Sequence, residues 1–429
     1  PGPVHMNAQA RKPLEPAPAT GALRALFEEV LAEPPTKVHR ARPLEPSLVE
    51  HVPDMVVDSV VEAFDSASRP VILCGPADLR SAMFVDALQA LSERAEAPIL
   101  AESSSQLRHW PQTRALGAFD SIWRTESGRA ACRPDLVLQL GMTPVSKGWE
   151  TLSSAQSIRR IVVHPWEWAD PTSDAEAVVE ADVGSFLSAL SQATFDTSRR
   201  VAGFIANFER LDVLASDAAG AILAEPGDAL TEGGVAHVLL EALPNPSALV
   251  VGNSLPIRGV ETWAPPSDKS LLVHSQRGVR GIDGVVSGAA GVASTVEGPT
   301  TLLVGDVSFL HDLNGLQLAA AVEGPFVVVV INNGGGRIFD QLPIAGEDRG
   351  EWMQYFVTPH EADLSSAAAT YGCAFRSVST VSELRRALEE SYSASGCMVV
   401  EAKVPAGSAR EQRQALSERV EQAIQREVR

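Results

Sequence analysis

Two apolar runs that each end at a polar residue constrain this chain more than any other feature. The first run, residues 302–305, ends at Asp306, and the second, residues 329–331, ends at Asn332-Asn333. Between them, apolar residues recur at the spacing of one helix face from residue 308 to residue 321. A strand, a helix and a second strand of this kind place Asp306 and Asn333 at the carboxyl edge of a parallel sheet, where open α/β folds bind ligands.

The same alternation of short apolar runs and helix-like segments begins at about residue 48. Continuous apolar strands are typical of parallel sheets that helices cover on both faces. We therefore predict an α/β protein with two doubly wound, mainly parallel-sheet domains. The predicted divisions are a proline-rich connector at 1–46, a central α/β domain at 47–205, a second α/β domain with the ligand edge at 206–407, and a C-terminal helix at 408–429.

Composition narrows the possible partners. The chain has 429 residues and a net charge of −19, which argues against general binding of nucleic acid. No apolar stretch is long enough to span a membrane, and no signal peptide is visible in these residues. The four cysteines form no CxxC pair, so neither a zinc site nor a disulfide framework is indicated. We expect the protein to reside in the cytoplasm.

Asp306 and Asn333 offer hard oxygen ligands of the kind that Mg²⁺ prefers. A carboxylate, an amide oxygen and a backbone carbonyl would leave room for two phosphate oxygens. The glycines 334–336 allow the backbone to approach an ion closely, and the helix start after Asp306, with the Ser308 hydroxyl, would face a diphosphate. Either half alone is more simply a helix cap or a turn, but on adjacent strands the two halves predict a metal and diphosphate site.

Gly305-Asp306, a helix and Asn332-Asn333 resemble the cofactor motif of thiamine-diphosphate-dependent enzymes, with Val307 where glycine is usual. That departure is similar to the 2-succinyl-5-enolpyruvyl-6-hydroxy-3-cyclohexene-1-carboxylate synthase family of menaquinone biosynthesis. The resemblance extends over nearly the whole chain and is densest from residue 251 to residue 343. The segments that carry it are residues 2–5, 251–255, 277–278, 281–284, 311–316 and 333–339.

This resemblance implies a role for each matching residue. The metal ligands for Mg²⁺ (or Mn²⁺) would be Asp306, Asn333 and the carbonyl of Gly335. The remaining cofactor-binding residues would be Asn253, Ser254 and Ser308 beside the diphosphate, and Ile282 as the apolar wedge that bends the cofactor. Ile338 and Phe339 would wall the reacting centre together with Ile282.

Three cations match family positions that face anionic substrates, namely Lys147, Arg258 and Arg277. Two polyanionic substrates need several such cations. The chain departs from the family pattern at Gln276, at Arg280 and at Gly148, where some members have arginine.

The implied reaction decarboxylates 2-oxoglutarate and adds the resulting succinyl carbanion equivalent to isochorismate. The cofactor supplies the electron sink, and the protein supplies placement and charge. One alternative is another thiamine-diphosphate 2-oxoacid decarboxylase or an acetolactate-synthase-like enzyme, although Val307 and residues 311–314 favour the first interpretation. The other alternative is a non-catalytic fragment.

The resemblance also implies a pyrimidine-binding domain ahead of the central domain, and Gly2-Pro3-Val4-His5 resembles its last strand. Since that domain carries the glutamate that activates the cofactor, we expect residues 1–429 alone to show no turnover. We expect another subunit to supply the domain, in at least a dimer. Gly75-Pro76 lacks a GxGxxG pattern, which favours a supporting central domain. We expect structural roles for four histidines, His109, His164, His274 and His360.

Overall fold

The computed structural model of the chain describes residues 21–32, 42–44, 52–77, 82–110, 113–154, 158–165, 170–278, 280–342, 345 and 353–427. Within these residues the chain forms two six-stranded sheets in which every paired strand runs parallel. The prediction of two parallel-sheet α/β domains is confirmed. Residues 2–5, which resemble the last strand of a pyrimidine-binding domain, lie outside the described residues.

The first sheet is built from six short strands in the order β1-β6-β5-β4-β2-β3. These are β1 (Arg42–Leu44), β2 (Pro70–Cys74), β3 (Ile99–Ala101), β4 (Leu136–Leu140), β5 (Arg159–His164) and β6 (Ala177–Glu180). The fully buried β2 and β4 lie in its interior, as their unbroken apolar sequences predict. The sequence did not predict β1, which lies on the connector side of the boundary at residue 46 and pairs with β6 at the edge of the sheet.

Helices alternate with most strands of the first sheet, as the sequence predicts. They are α1 (Gly21–Ala32), α2 (Asp54–Ser66), α3 (Ala82–Ala95), α4 (Phe119–Arg124), α5 (Glu126–Ala131), α6 (Lys147–Ser153) and α7 (Val183–Ser191). Helix α2 shows why: Val56, Val60, Ala63 and Phe64 recur every three or four residues and are its buried residues. One hydrophobic cluster joins them to the strands.

The second sheet has the order β11-β12-β10-β9-β7-β8. Its strands are β7 (Ser247–Val251), β8 (Leu271–Ser275), β9 (Thr300–Gly305), β10 (Pro325–Asn332), β11 (Ala374–Val378) and β12 (Gly396–Lys403). The two apolar runs that end at Asp306 and Asn332-Asn333 lie in β9 and β10, which are direct neighbours, with Val304 beside Val330 and Gly305 beside Ile331. Asp306 and Asn333 therefore leave the same edge of the sheet.

The helices of the second half are α8 (Phe204–Ala224), α9 (Glu232–Ala242), α10 (Leu255–Trp263), α11 (Val285–Ala293), α12 (Asp306–His311), α13 (Leu316–Ala319), α14 (Leu364–Thr370), α15 (Val381–Tyr392) and α16 (Ser408–Glu427).

The single helix predicted from residue 308 to residue 321 is wrong, because a 3₁₀ turn at Leu313–Gly315 separates α12 from α13. The Asp312 carboxylate accepts the Ser287 N–H at 2.8 Å, and a Cβ at Gly315 would lie 2.7 Å from Ser287 N. The break lets α11 pack closely against this segment.

A continuous hydrophobic cluster joins the two halves of the molecule. Its centre is aromatic: the Trp123 ring of α4 lies 5.5 Å from Phe119, 6.1 Å from Trp149 and 5.9 Å from Phe208 of α8, measured between ring centroids. Helix α16 packs on α8, α9, α4 and α5, so the C-terminal helix contacts both halves. Of the helices in the described part of the chain, none is both long and apolar enough to cross a membrane.

Candidate functional site

Four neighbouring strands of the second sheet deliver polar side chains to one edge. Strands β8, β7, β9 and β10 lie side by side, and shortly after their carboxyl ends come Arg277, Asn253, Asp306 and Asn333. The chain passes from β7 to β8 on one side and then returns to β9 on the other side of β7. Such a reversal of strand order opens a crevice in α/β sheets, so the predicted residues meet where a ligand site is expected.

Asp306 joins the two halves of the predicted metal site. The side chain is buried, and its Oδ2 accepts the N–H groups of Gly334 and Gly335, each at 2.9 Å. Its Oδ1 accepts the N–H of Val307 at 2.7 Å. The loop after β10 is thus fastened to the carboxylate at the end of β9, and Asp306, Asn333 and Gly335 are brought together.

Asn333 presents a free oxygen. Its side chain is buried, its Nδ2 donates to Glu232 Oε2 at 3.0 Å, and its Oδ1 has no hydrogen-bond partner among the residues that the structure describes. A buried amide oxygen without a partner is costly in the absence of a ligand. Asn332 differs, because its Oδ1 already accepts the N–H of Gly334 at 3.2 Å, while its Nδ2 donates to Glu401 Oε1 at 2.7 Å. Only the second asparagine of the pair is therefore available to a ligand.

Gly335 provides the close backbone approach that the sequence predicted. Its φ is +133°, and a Cβ at this position would lie 2.4 Å from the carbonyl oxygen of Val357. In the described residues no group of three or more His, Cys, Asp or Glu side chains could hold a metal ion. A carboxylate, a partner-free amide oxygen and a glycine loop together fit a hard cation such as Mg²⁺.

Asn253 organises the loop after β8. Its Nδ2 donates to the carbonyls of Gln276 at 3.0 Å and Gly281 at 2.7 Å, and its Oδ1 accepts from Arg277 Nη1 at 2.8 Å. The next residue, Ser254, has φ 73° and ψ −129°, a conformation that side chains rarely adopt. Strain of this kind persists where the surrounding structure over-determines it, as at ligand sites.

The predicted apolar residues surround the same edge. Ile282 is half-buried and follows Gly281, whose carbonyl Asn253 holds. Ile338 and Phe339 lie in the 3₁₀ turn Arg337–Gln341 that directly follows the glycines, and Phe339 packs edge-on against Phe356 with 5.6 Å between ring centroids. Ser308 is buried in α12. Contact of these four side chains with a cofactor stays a prediction.

Arginines cluster beside this edge. Arg277 is buried and Arg258 half-buried, with Arg258 Nη1 donating to the Ser254 carbonyl at 2.7 Å. Burial and then the charges of Arg280 and Arg258 lower the pKa of Arg277 to about 10. Burial and then Arg124 and Arg280 lower the pKa of Arg258. Mutually repelling, desolvated guanidinium groups form a region that favours an anion.

Lys147 reaches this region from the central domain but stays at its rim. It begins α6, it is exposed, and its Nζ lies 3.1 Å from Glu150, a carboxylate that in turn acts on Arg258. Close packing explains the glycine at the neighbouring position 148, because a Cβ on Gly148 would lie 2.5 Å from the Asp120 carbonyl oxygen. An arginine at position 148 would require α4 and α6 to separate.

Two residues near the metal site were not predicted. Burial raises the pKa of Glu232 to about 7, against the hydrogen bond from Asn333 and the charge of Arg413. His360 was expected to be structural, yet its Nε2 lies 3.3 Å from Asp306 Oδ2, without the alignment of a hydrogen bond. Neither residue follows an apolar strand, so the pattern that singled out Asp306 and Asn333 could not have found them.

In the described residues, backbone contacts close the first sheet at its own reversal of strand order, between β2 and β4. The backbones that follow these strands are in direct contact: Met142 donates its N–H to the Pro76 carbonyl at 2.9 Å. A Cβ at Gly75 would lie 2.1 Å from the Met142 carbonyl oxygen, and one at Gly141 2.7 Å from the Pro76 carbonyl oxygen. The ligand edge of the described structure thus belongs to the second sheet.

Comparison with known protein families finds a match for part of the half that contains the second sheet. Residues 272–402 match the family described as "Thiamine pyrophosphate enzyme, C-terminal TPP binding domain". An X-ray structure of a thiamin diphosphate-dependent enzyme from Mycobacterium smegmatis has a similar fold, with a TM-score of 0.58 at 19% identity over 84% of this chain and 66% of that chain. The matched range contains Asp306 and Asn333.

Comparison of the whole chain with known proteins indicates a narrower family. The chain is 40% identical over 421 residues to 2-succinyl-5-enolpyruvyl-6-hydroxy-3-cyclohexene-1-carboxylate synthase of Sorangium cellulosum, covering 94% of this chain and 67% of the relative. For the synthase of the same name from Geobacillus thermodenitrificans the identity is 35%, covering 99% and 70%. For that of Halobacterium salinarum it is 32%, covering 98% and 71%. The chain spans about two thirds of the length of these relatives. It belongs to the 2-succinyl-5-enolpyruvyl-6-hydroxy-3-cyclohexene-1-carboxylate synthase family.

Proposed function

We propose that the protein catalyses a thiamine-diphosphate-dependent carboligation that decarboxylates 2-oxoglutarate and adds the succinyl unit to isochorismate, as a step of menaquinone biosynthesis. The observation that carries this proposal is the meeting of Asp306, Asn333 and Gly335 at the carboxyl edge of the second sheet, with a buried amide oxygen that has no partner in the described structure. The family of the chain supports the reaction.

The metal site would be held by Asp306, by Asn333 Oδ1 and by the Gly335 carbonyl, with Mg²⁺ (or Mn²⁺) as the ion. These oxygens provide part of an octahedral set and leave positions for diphosphate oxygens and water. Asn253, Ser254 and Ser308 would flank the diphosphate. When bound, thiamine diphosphate supplies the electron sink that decarboxylation of a 2-oxo acid requires.

The apolar residues and the cationic residues of the site would have different roles. Ile282, Ile338 and Phe339 would hold the reacting end of the cofactor and exclude water from it. Arg258 and Arg277, with Lys147 at the rim, would bind the carboxylates of the two dianionic substrates. The support for this division is the lowered pKa of both arginines, on which burial and the charges of neighbouring arginines act more strongly than the nearby carboxylates do.

The pyrimidine end of the cofactor would meet a surface from another subunit, so that the active assembly is at least a dimer. This part of the proposal rests on the family to which the chain belongs. We further propose a cytoplasmic location, which suits the buried free thiols of all four cysteines.

A substrate comparison tests the reaction. The complete polypeptide, loaded with thiamine diphosphate and Mg²⁺, is given 2-oxoglutarate or pyruvate, each with and without isochorismate. We expect CO₂ release from 2-oxoglutarate and a coupled product only when isochorismate is present. Decarboxylation of pyruvate but not of 2-oxoglutarate would instead indicate an acetolactate-synthase-like enzyme or another 2-oxoacid decarboxylase.

A further inference from the structure

The amide of Asn333 can serve a metal ion in only one of its two orientations. Its oxygen and its nitrogen lie on opposite sides of the side-chain carbon, and a rotation of half a turn would exchange them. In the structure the nitrogen donates to Glu232 Oε2 at 3.0 Å, while the oxygen has no partner in the described residues. The contact that selects the useful orientation is therefore the carboxylate of Glu232.

Glu232 is itself held firmly. It is the first residue of α9, after the N-cap residue Thr231, and its side chain is buried. Its N–H donates to Ser408 Oγ at 3.4 Å, and the next N–H, that of Gly233, donates to Gln412 Oε1 at 3.1 Å. Both acceptors belong to the first turns of α16, so the C-terminal helix fixes the start of α9 from outside the sheet.

The charges around Glu232 argue against a purely structural role. Glutamate in the first turn of a helix ordinarily complements the helix dipole from an exposed position, whereas this carboxylate is buried near two further acids, Asp306 and Asp340. The nearby cation is Arg413, whose buried Nε and Nη1 have no hydrogen-bond partner in the described structure. The Glu232 carboxylate accepts a hydrogen bond from Asn333.

We propose that Glu232 is a positioning residue that orients Asn333, so that the amide oxygen and not the amide nitrogen faces the bound cation. The inference rests on the proposed metal-dependent function. Metal ligands are commonly oriented by such outer hydrogen bonds, and loss of one typically lowers metal affinity about 10- to 100-fold. Glu232 needs to touch neither substrate nor cofactor for this effect.

The first test measures Mn²⁺ binding by electron paramagnetic resonance, in the presence of thiamine diphosphate, on the complete polypeptide. Glu232→Ala should weaken Mn²⁺ binding about 10- to 100-fold, because the amide is then free to turn. Glu232→Gln keeps an oxygen acceptor for the Asn333 amide. Its Mn²⁺ affinity should therefore stay within about threefold of that of the unmodified protein, well short of the loss of about tenfold or more expected for Glu232→Ala. Glu241→Ala, an exposed acid on the same helix, is the matched control and should bind normally.

A second test uses two nearly isosteric changes, in case Glu232→Ala does not fold. Asn333→Asp sets a carboxylate against that of Glu232, so it should weaken Mn²⁺ binding. Adding Glu232→Gln supplies an N–H donor to the new carboxylate and should restore affinity at least about tenfold, although it removes a negative charge near the cation. A structural role, or simple charge attraction, predicts no recovery.

The outcomes separate the two proposals. If the unmodified protein does not bind Mn²⁺ with thiamine diphosphate, the proposed function fails. If it binds, and a folded Glu232→Ala protein binds equally well, the positioning role is overturned. Failure of Glu232→Gln to improve Mn²⁺ binding in the Asn333→Asp background overturns it as well.

Discussion

Arg108 Nη2 lies 2.8 Å from Glu261 Oε2, and both side chains are almost fully buried at the junction between the two sheets. Arg108 belongs to the segment after β3, and it also donates to the carbonyls of Ala101, Gly117 and Glu261. Glu261 lies in α10 of the other half and accepts the N–H of Ser103 at 2.9 Å. One buried ion pair thus fastens the central half to the half that holds the cofactor edge.

Glu261→Ala should therefore destabilise the protein strongly, since it removes the carboxylate that pairs directly with the buried Arg108. We expect the free energy of unfolding to fall by about 3–5 kcal/mol, measured by urea denaturation followed by circular dichroism. Glu93→Ala is the control, because its pair with Arg114 is exposed, and it should cost less than about 1 kcal/mol. A loss at Glu261 as small as the control would refute the fastening role.

His109 should make the protein sensitive to acid. Burial, then the charges of Arg108 and Lys269, lower the pKa of His109 to about 3, while its ring nitrogens contact Ser103 and Ser267 at 3.1 Å. The pKa of His109 is lower in the folded protein than in the unfolded chain. The stabilisation that the neutral imidazole contributes is therefore complete above about pH 6.5 and is lost as the pH falls towards 3. The unfolded chain takes up the proton over this range and the native protein does not.

The stability difference between the unmodified protein and His109→Gln should thus shift in favour of the variant on acidification. Between pH 7 and pH 4 we expect a shift of roughly 3 kcal/mol, read from urea denaturation at each pH. Parallel stability curves for the two proteins would contradict the assignment of a buried, neutral imidazole.

Gly335→Ala should disrupt the metal loop. The added Cβ would lie 2.4 Å from the Val357 carbonyl oxygen, at a φ of +133°. Gly334→Ala is a matched control, since its φ is +76° and its surroundings are open. We expect about 1–2 kcal/mol of destabilisation at Gly334 and at least twice that at Gly335, by thermal or urea unfolding. Equal losses at the two positions would show that close packing does not restrict Gly335.

Arg258→Ala should impair use of the anionic substrates. Loss of one charge-paired contact at a buried site costs about 2–5 kcal/mol, or roughly 30-fold or more in kcat/KM. Steady-state kinetics of the complete polypeptide give this value. Arg385→Ala removes an exposed arginine paired with Glu241 and should leave kcat/KM unchanged. An Arg258→Ala enzyme with normal kcat/KM for both substrates would exclude Arg258 from substrate binding.

The core strands of the fold were predictable because burial on both faces demands unbroken apolar sequence. The interior of β10 is such a run, and so is that of β9. Two of the edge strands, β11 and β1, were not predicted: β11 is largely exposed or half-buried, and β1 spans only Arg42–Leu44. An edge strand needs no continuous apolar pattern, so its sequence does not distinguish it from a loop.

The residues of the candidate site likewise divide into those that the sequence predicted and those that it did not. Asp306 and Asn333 were predictable because they stand immediately after buried strands, whose carboxyl ends must meet at one edge. Glu232 lies at the start of a helix, where glutamate is common because its charge complements the helix dipole. His360 lies in a loop. Their positions beside Asn333 and Asp306 depend on packing between segments far apart in sequence, which local patterns do not encode.

Calorimetric titration of thiamine diphosphate tests the central claim most directly. It should be done on the complete polypeptide with Mg²⁺ and, separately, with a chelator, for the unmodified protein, Asp306→Ala and the control Glu323→Ala, which changes an exposed acid. We predict Mg²⁺-dependent binding that Asp306→Ala abolishes and Glu323→Ala retains. Unchanged, Mg²⁺-dependent affinity in a folded Asp306→Ala protein would contradict the assignment of the metal and diphosphate site.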